Sequence, residues 1–396
     1  MIPLHGNVAP GFDEVRSVFA RNFHRYGELG AACAVWWRGE MVVDLWGGYR
    51  DRNRQQPWQR DTLVPIFSTT KGISAITLAL AHSRGLLDYD ERVCCYWPEF
   101  AQNGKESITV RQLLAHQAGL CALDVILNAG LLADLDRLGE LLARQRPAWQ
   151  PGTRHGYHGI TLGFFQNELL RRIDSQHRSI RRFFQEEIAG PLKLDIHYGI
   201  PAELSAGRVA ELQDLAPWEW FLHMHRISWR FLAAVVRPST LTFQALRNPY
   251  FSRASDIFTL EYAEVELPSS NAVADARSIA CLFGIVAAGG KELNLQPATF
   301  AELVAPSIPP SGGDFDLVMR RESSYALGFS RPSPSLPFSQ NPQAFGAAGI
   351  GGSFAFGDPT AQLGFAYLPS RCRIASRDPR ERDLRLAVQR CIEKMV

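Results

Sequence analysis

The spacing of apolar positions changes several times along the chain, and each change predicts an element. Phe12, Val15, Phe19, Phe23 and Tyr26 recur at helical spacing, which predicts an amphipathic first helix over residues 11–27. Residues 31–51, AACAVWWRGEMVVDLWGGYRD, switch to two β-rich runs around Arg38-Gly39-Glu40, the signature of a β-hairpin. Residues 68–84 are rich in Ile, Leu and Ala and run into Gly85, so they read as a helix stopped by glycine. A short helix is expected over 107–119, opened by Thr109 and closed by Gly119. Further helices are expected over 129–145, 160–174 and 273–288. Within 345–368, GGSFAFG and QLGFAYL read as two strands joined by Asp358-Pro359-Thr360, and a helix over 379–394 follows.

Hairpin, long helical stretch, strands and terminal helix together predict an α+β fold. The antiparallel sheet is built from both chain ends and flanked by helices, with an all-helical subdomain inserted. The expected division is one unit over 1–396. Residues 1–80 and 272–396 form its α/β part, and residues 81–271 its mainly helical part. With 396 residues, 46% of them hydrophobic, the chain can bury a large core. Charged residues are 21% and the net charge is +2, a balance that excludes a nucleic-acid binder and a disordered chain. No stretch approaches the ~18 apolar residues of a membrane span. The seven cysteines are odd in number and form no CxxC pair. That argues against a disulfide framework or zinc site and for reduced thiols inside a cell. MIPLHGNVAPGFDEV has no basic region leading into an apolar run, so a cytoplasmic location is the expectation.

Lysine is scarce: Lys71, Lys105, Lys193, Lys291 and Lys394. One of them sits in Ser68-Thr69-Thr70-Lys71. If a helix starts near Phe67, positions i and i+3 share a face and the two side chains can touch. Serine is a poor nucleophile until a base takes its proton, and lysine serves only if burial or nearby positive charge lowers its pKa. Taken alone, such a spacing also fits a capping serine beside an unrelated lysine.

The context of that spacing is more specific. FSTTKGISAITLALAHSRGLLDYDERVCCYWPEF continues into ITVRQLLAHQAGL, and over residues 63–120 the chain resembles the serine β-lactamase and penicillin-binding-protein superfamily. It is most similar to the esterase branch related to class C β-lactamases. Pro151-Gly152-Thr153-Arg154-His155-Gly156-Tyr157-His158-Gly159 resembles that branch's PGxxxxYxx segment, in which a tyrosine takes the second general-base position. Gly159 stands where the β-lactamases have Asn. Phe345-Gly346-Ala347-Ala348-Gly349-Ile350-Gly351-Gly352-Ser353 resembles the site-lining strand, with Ala347 in place of the family's Lys or His.

The resemblance implies Ser68 as nucleophile, Lys71 as acylation base and Tyr157 as partner in proton transfer. It places the oxyanion between the backbone amides of Ser68 and Ile350. Ala347, Gly349, Gly351, His158 and Trp149 are the expected substrate contacts, and neither a metal nor an organic cofactor is needed. ELPSSNAVADARSIACLF resembles another segment of the branch, with Ser269, Ser270 and Asn271 either facing the cleft or forming a turn and cap. His155 and His158 are three apart, but no third ligand suggests a metal site. The aromatic segment 218–235, with His223 and His225, is open to four readings: acyl-pocket lining, lid, homo-oligomer contact or ordinary core.

The first functional expectation is a carboxylesterase-like serine hydrolase that cleaves a small-molecule ester or amide through an acyl-enzyme on Ser68. The alternatives are an acyltransferase or transesterase of a biosynthetic pathway, and a catalytically weak binding protein of the same build. A β-lactamase proper is disfavoured by Gly159, Ala347 and the lack of an export signal.

Overall fold

The computed structural model describes residues 2–201, 204, 206–216, 219, 227–373 and 378–395. Eight strands form its main antiparallel sheet: Leu4–Val8 (β1), Gly30–Trp37 (β2), Glu40–Gly48 (β3), Tyr325–Ala326 (β4), Phe329–Ser330 (β5), Phe345–Ala348 (β6), Phe354–Asp358 (β7) and Leu363–Pro369 (β8). Their order across the sheet is β1-β3-β2-β8-β7-β6-β5-β4. The centre of the sheet therefore joins the two ends of the chain, with Cys33 opposite Tyr367 and Ala34 opposite Ala366. The expected hairpin closes tightly. Arg38 and Gly39 both take positive φ, 51° and 91°, as a two-residue hairpin turn requires, and Trp37 pairs with Glu40.

Helices cover both faces. The amphipathic Asp13–Tyr26 helix and the terminal Pro379–Glu393 helix lie together on one face. There Phe12, Val15, Phe19 and Phe23 share a core with Leu384, Val388, Phe365 and Tyr367. On the other face the Ala276–Ala287 helix approaches so closely that a Cβ on Gly364 would lie 2.1 Å from the carbonyl oxygen of Ala280. Behind it runs the Thr70–Ser83 helix, buried at every position from Thr70 to Ala81. A Cβ on its Gly72 would lie 2.5 Å from the Phe283 ring and 3.2 Å from the Ala347 methyl of β6. Glycine there is what lets the helix seat against the strand.

The fold class is as expected, but some elements differ in extent. The 107–119 helix is only Val110–Leu114, started by a capping box of Thr109 and Gln112. The 129–145 helix is broken into Ala129–Ala133 and Leu135–Arg144, because the Asp134 carboxylate accepts the Arg137 N–H and caps a new helix. Residues 345–368 hold three strands rather than two. Of the aromatic segment, residues 218 and 220–226, His223 and His225 among them, lie outside the described residues. Trp229–Val235 is a helix whose Trp229 is exposed. Among the described residues no helix is long and apolar enough to cross a membrane.

Candidate active site

Ser68 sits in a single 3-10 turn, Phe67–Thr69, that leads directly into the Thr70–Ser83 helix. Phe67 takes φ 49°, an uncommon conformation for an aromatic residue and a sharp corner in the backbone just before Ser68. Lys71 follows one turn later. Its Nζ lies 3.2 Å from Ser68 Oγ, 2.6 Å from the Gly159 carbonyl oxygen and 2.9 Å from the Ser269 carbonyl oxygen. The lysine is 3% exposed, and burial alone brings its pKa down from 10.5 to about 7. Among the described residues no carboxylate pairs with it. A neutral amine has two N–H bonds and one lone pair. In the neutral form the two carbonyls take the N–H bonds and the lone pair faces the Ser68 hydroxyl; in the charged form the third N–H donates to Ser68 Oγ.

Tyr157 closes the other side. Its ring stands with Lys71 Nζ 4.9 Å from the centroid, and its hydroxyl is hydrogen-bonded to Ser68. Burial pushes its pKa up to about 12, the Ser68 bond pulls it down, and nearby Asp316 pushes it up further. At neutral pH the group is therefore a phenol. Three residues that the sequence did not single out hold it there. Buried Asp316 accepts the Tyr157 N–H at 3.2 Å and the Tyr325 hydroxyl at 2.9 Å. The Tyr325 ring stacks at 6.0 Å from Tyr157, and the His116 ring lies at 5.0 Å. His116, with φ 60°, accepts the His158 N–H on Nδ1 at 3.0 Å, and burial keeps it well below the ordinary histidine pKa. Both of its roles are tertiary, so no spacing along the chain announces them.

The glycine loop lies beside the nucleophile's corner, with Gly349 against Ile66 and Phe67. The Gly349 N–H donates to the Ser353 carbonyl at 2.8 Å, and the Gly352 N–H donates to the Gly349 carbonyl at 3.2 Å. Between them Ile350 is 57% exposed, and among the described residues its amide finds no acceptor. Gly349 is buried: a Cβ there would lie 2.1 Å from Ser353 Oγ and 2.5 Å from the Ile66 carbonyl oxygen. Gly351 lies against Phe67 and Cys372.

The expected substrate contacts divide. His158 is a correction: it is fully buried, accepts the Leu120 N–H on Nε2 at 3.0 Å and engages the Gly156 carbonyl through Nδ1 at 2.6 Å. Burial depresses its pKa to about 3, so it is a neutral strut of the Tyr157 loop, out of reach of any ligand. Ala347 is 4% exposed, and its methyl is turned to Gly72. Trp149 is half-buried against Gly156, in a small apolar group with Tyr157, Leu246 and Val318. Of the Ser269-Ser270-Asn271 turn, only the Ser269 carbonyl reaches the site. Asn271 accepts the Leu267 N–H and donates to the Val265 carbonyl within its own turn. Among the described residues no cluster of three His, Cys, Asp or Glu side chains is placed to hold a metal ion.

A serine and a buried lysine amine meet at the head of a helix laid against an antiparallel sheet, an arrangement in keeping with the class of serine hydrolases. The chain belongs to the Beta-lactamase family, whose model matches residues 15–390. It is 33% identical to the esterase/beta-lactamase LipL of Mycobacterium tuberculosis, over 93% of this chain and 83% of that protein. Among solved structures it resembles a family VIII carboxylesterase, with a TM-score of 0.86 and 34% identity, over 98% of this chain and 100% of that one. It likewise resembles a penicillin-binding protein homologue from Caulobacter crescentus, with a TM-score of 0.83 and 34% identity, over the same shares. These likenesses make the protein a serine hydrolase in the broad sense.

Proposed function

We propose that the protein is a carboxylesterase that works through an acyl-enzyme on Ser68. The observation that carries this reading is the Lys71 amine, which burial brings down to a pKa of about 7, 3.2 Å from the Ser68 oxygen and, among the described residues, without a carboxylate to hold its proton. Lys71 takes the hydroxyl proton as Ser68 Oγ bonds to the substrate carbonyl carbon. The amides of Ser68 and Ile350 receive the negative charge that develops on the carbonyl oxygen. The C–O bond to the leaving alcohol breaks, and the alcohol takes a proton from the Tyr157 phenol, which Lys71 then restores. Water attacks the acyl-enzyme along the reverse proton path and regenerates Ser68. A phenol with a pKa near 12 suits a relay that stays protonated at rest. The esterase names of LipL and the carboxylesterase neighbour support this choice of substrate class.

The test uses p-nitrophenyl esters of graded chain length, with intact mass as readout. Wild type is expected to turn over and to show an acyl adduct that Ser68→Ala lacks. Lys71→Ala and Tyr157→Phe are each expected to slow turnover at least ~100-fold. No adduct and no turnover with any ester would sink the reading. An adduct that persists in water and leaves only on addition of an alcohol or amine would make the enzyme an acyltransferase instead.

A further inference from the structure

The loop that presents the Ile350 amide has little stiffness of its own. Gly349, Gly351 and Gly352 surround Ile350, and Gly351 and Gly352 take φ 115° and 105°. Yet an oxyanion donor works only when held to within about 0.5 Å of its productive place. Something outside the loop must fix it, and two buried side chains are built to do so.

The first is Arg380, at the start of the terminal helix and 0% exposed. Every N–H of its guanidinium is used. Nε donates to Asp378 at 3.0 and 3.1 Å; Nη1 donates to Glu28 at 2.9 Å and to the Arg371 carbonyl at 2.8 Å. Nη2 donates to Asp378 at 2.7 Å and, at 3.1 Å, to the carbonyl of Gly351. That carbonyl belongs to the peptide between Gly351 and Gly352, two peptides on from the one that carries the Ile350 N–H. The same crowding explains Gly352, where a Cβ would sit 2.5 Å from both Arg380 Nη2 and Asp378 Oδ2. The second is Ser353, 3% exposed. Its hydroxyl donates to the Ile66 carbonyl at 2.7 Å and lies 3.0 Å from Thr69 Oγ1. Ile66 and Thr69 bracket the corner that carries Ser68, so this contact ties the two amides to each other.

We propose that Arg380 and Ser353 are positioning residues that fix the Ile350 amide against Ser68, one from the buried ionic cluster of Glu28 and Asp378 and one from the nucleophile's own corner. The inference rests on the acyl-enzyme reading, in which that amide binds the oxyanion. A guanidinium spread over two carboxylates and two carbonyls has one geometry only, and it transmits that geometry to the loop. Lysine cannot reproduce the fork.

The test compares Ser353→Ala and Arg380→Lys with wild type. Readouts are kcat and KM for p-nitrophenyl acetate, the rate of Ser68 phosphonylation by a p-nitrophenyl phosphonate ester, and the pH midpoint of the acid limb. Each variant is expected to lose about 10- to 100-fold in kcat with KM within about twofold, the range of a misplaced oxyanion donor. Phosphonylation should slow in proportion, because its phosphoryl oxygen uses the same donor, while the pH midpoint set by Lys71 stays. A residue that only supports the fold would lower the unfolding midpoint and leave the kcat of the folded fraction alone. Should Arg380→Lys fail to fold, Glu28→Gln, Asp378→Asn and Arg380→Met together remove all three charges, so that no buried ion is left without its partner. Wild-type kcat in folded Ser353→Ala, or in a folded Arg380 variant, would overturn the proposal. Absence of a Ser68 adduct in the wild type would instead overturn the parent reading.

Discussion

At Lys71 one nitrogen faces two carbonyls and a hydroxyl, and burial decides which of them gets a proton. Because the amine gives up its charge near pH 7, kcat/KM for a neutral ester should rise from acid pH to a plateau, with its midpoint near 7. A flat profile between pH 5 and 9 would remove Lys71 from the role of base. The same burial has a thermodynamic cost. The unfolded lysine keeps its proton up to about 10.5 and the folded one only up to about 7. Between those values the unfolded chain binds more protons, so stability climbs with pH; below 7 the full penalty applies. Lys71→Met should therefore raise the unfolding free energy at pH 6 by at most ~5 kcal/mol, seen as a higher urea midpoint, and the gain should fade toward pH 10. An unchanged or lower midpoint at pH 6 would show that the amine is not buried at a cost. That Ser68, Lys71 and Tyr157 would come together was legible in the sequence, because the motifs that flank them are specific. The carbonyls of Gly159 and Ser269 were not, since a backbone acceptor leaves no mark on residue identity. Gly159 drew notice only as a missing asparagine.

At the scale of elements, the site depends on a helix and a strand meeting without a side chain between them. Gly72→Ala would drive a methyl into the Phe283 ring and toward Ala347, and overpacking of that kind costs about 1–3 kcal/mol. Since Lys71 is the preceding residue, the variant should lose kcat as well as stability. Full activity at an unchanged melting temperature would mean that the ring moves aside freely. Elements with a strong local signal were readable: the first helix, the hairpin turn with its two positive φ values, and the helix stopped at Gly85. The break at Asp134 was hidden, because Asp reads equally well as a polar helix position and as a cap. The strand Phe345–Ala348 was readable only through the family resemblance, for its Phe-Gly-Ala-Ala run is buried and has no alternation of its own. The hairpin that supplies Asp316 has strands of two residues each, too short for any period to show.

For the whole molecule, the terminal helix is part of the core. Leu384, Ala387, Val388 and Cys391 close the same cluster as Phe12 and Phe19, and Arg380 fills the buried charge site of Glu28. A chain ended at residue 378 should show no cooperative unfolding transition, because Glu28 would be left buried and unpaired beneath an open apolar face. A sharp transition in that truncation would relegate the helix to decoration. The sheet's seam has a further consequence, for biosynthesis. Strand β2 is made long before its partner β8, since Cys33 must wait for Tyr367. At ~5–20 residues per second the wait is on the order of tens of seconds, with an Ala- and Trp-rich edge exposed throughout. This protein should consequently lean on chaperone holding during synthesis far more than its finished stability would suggest.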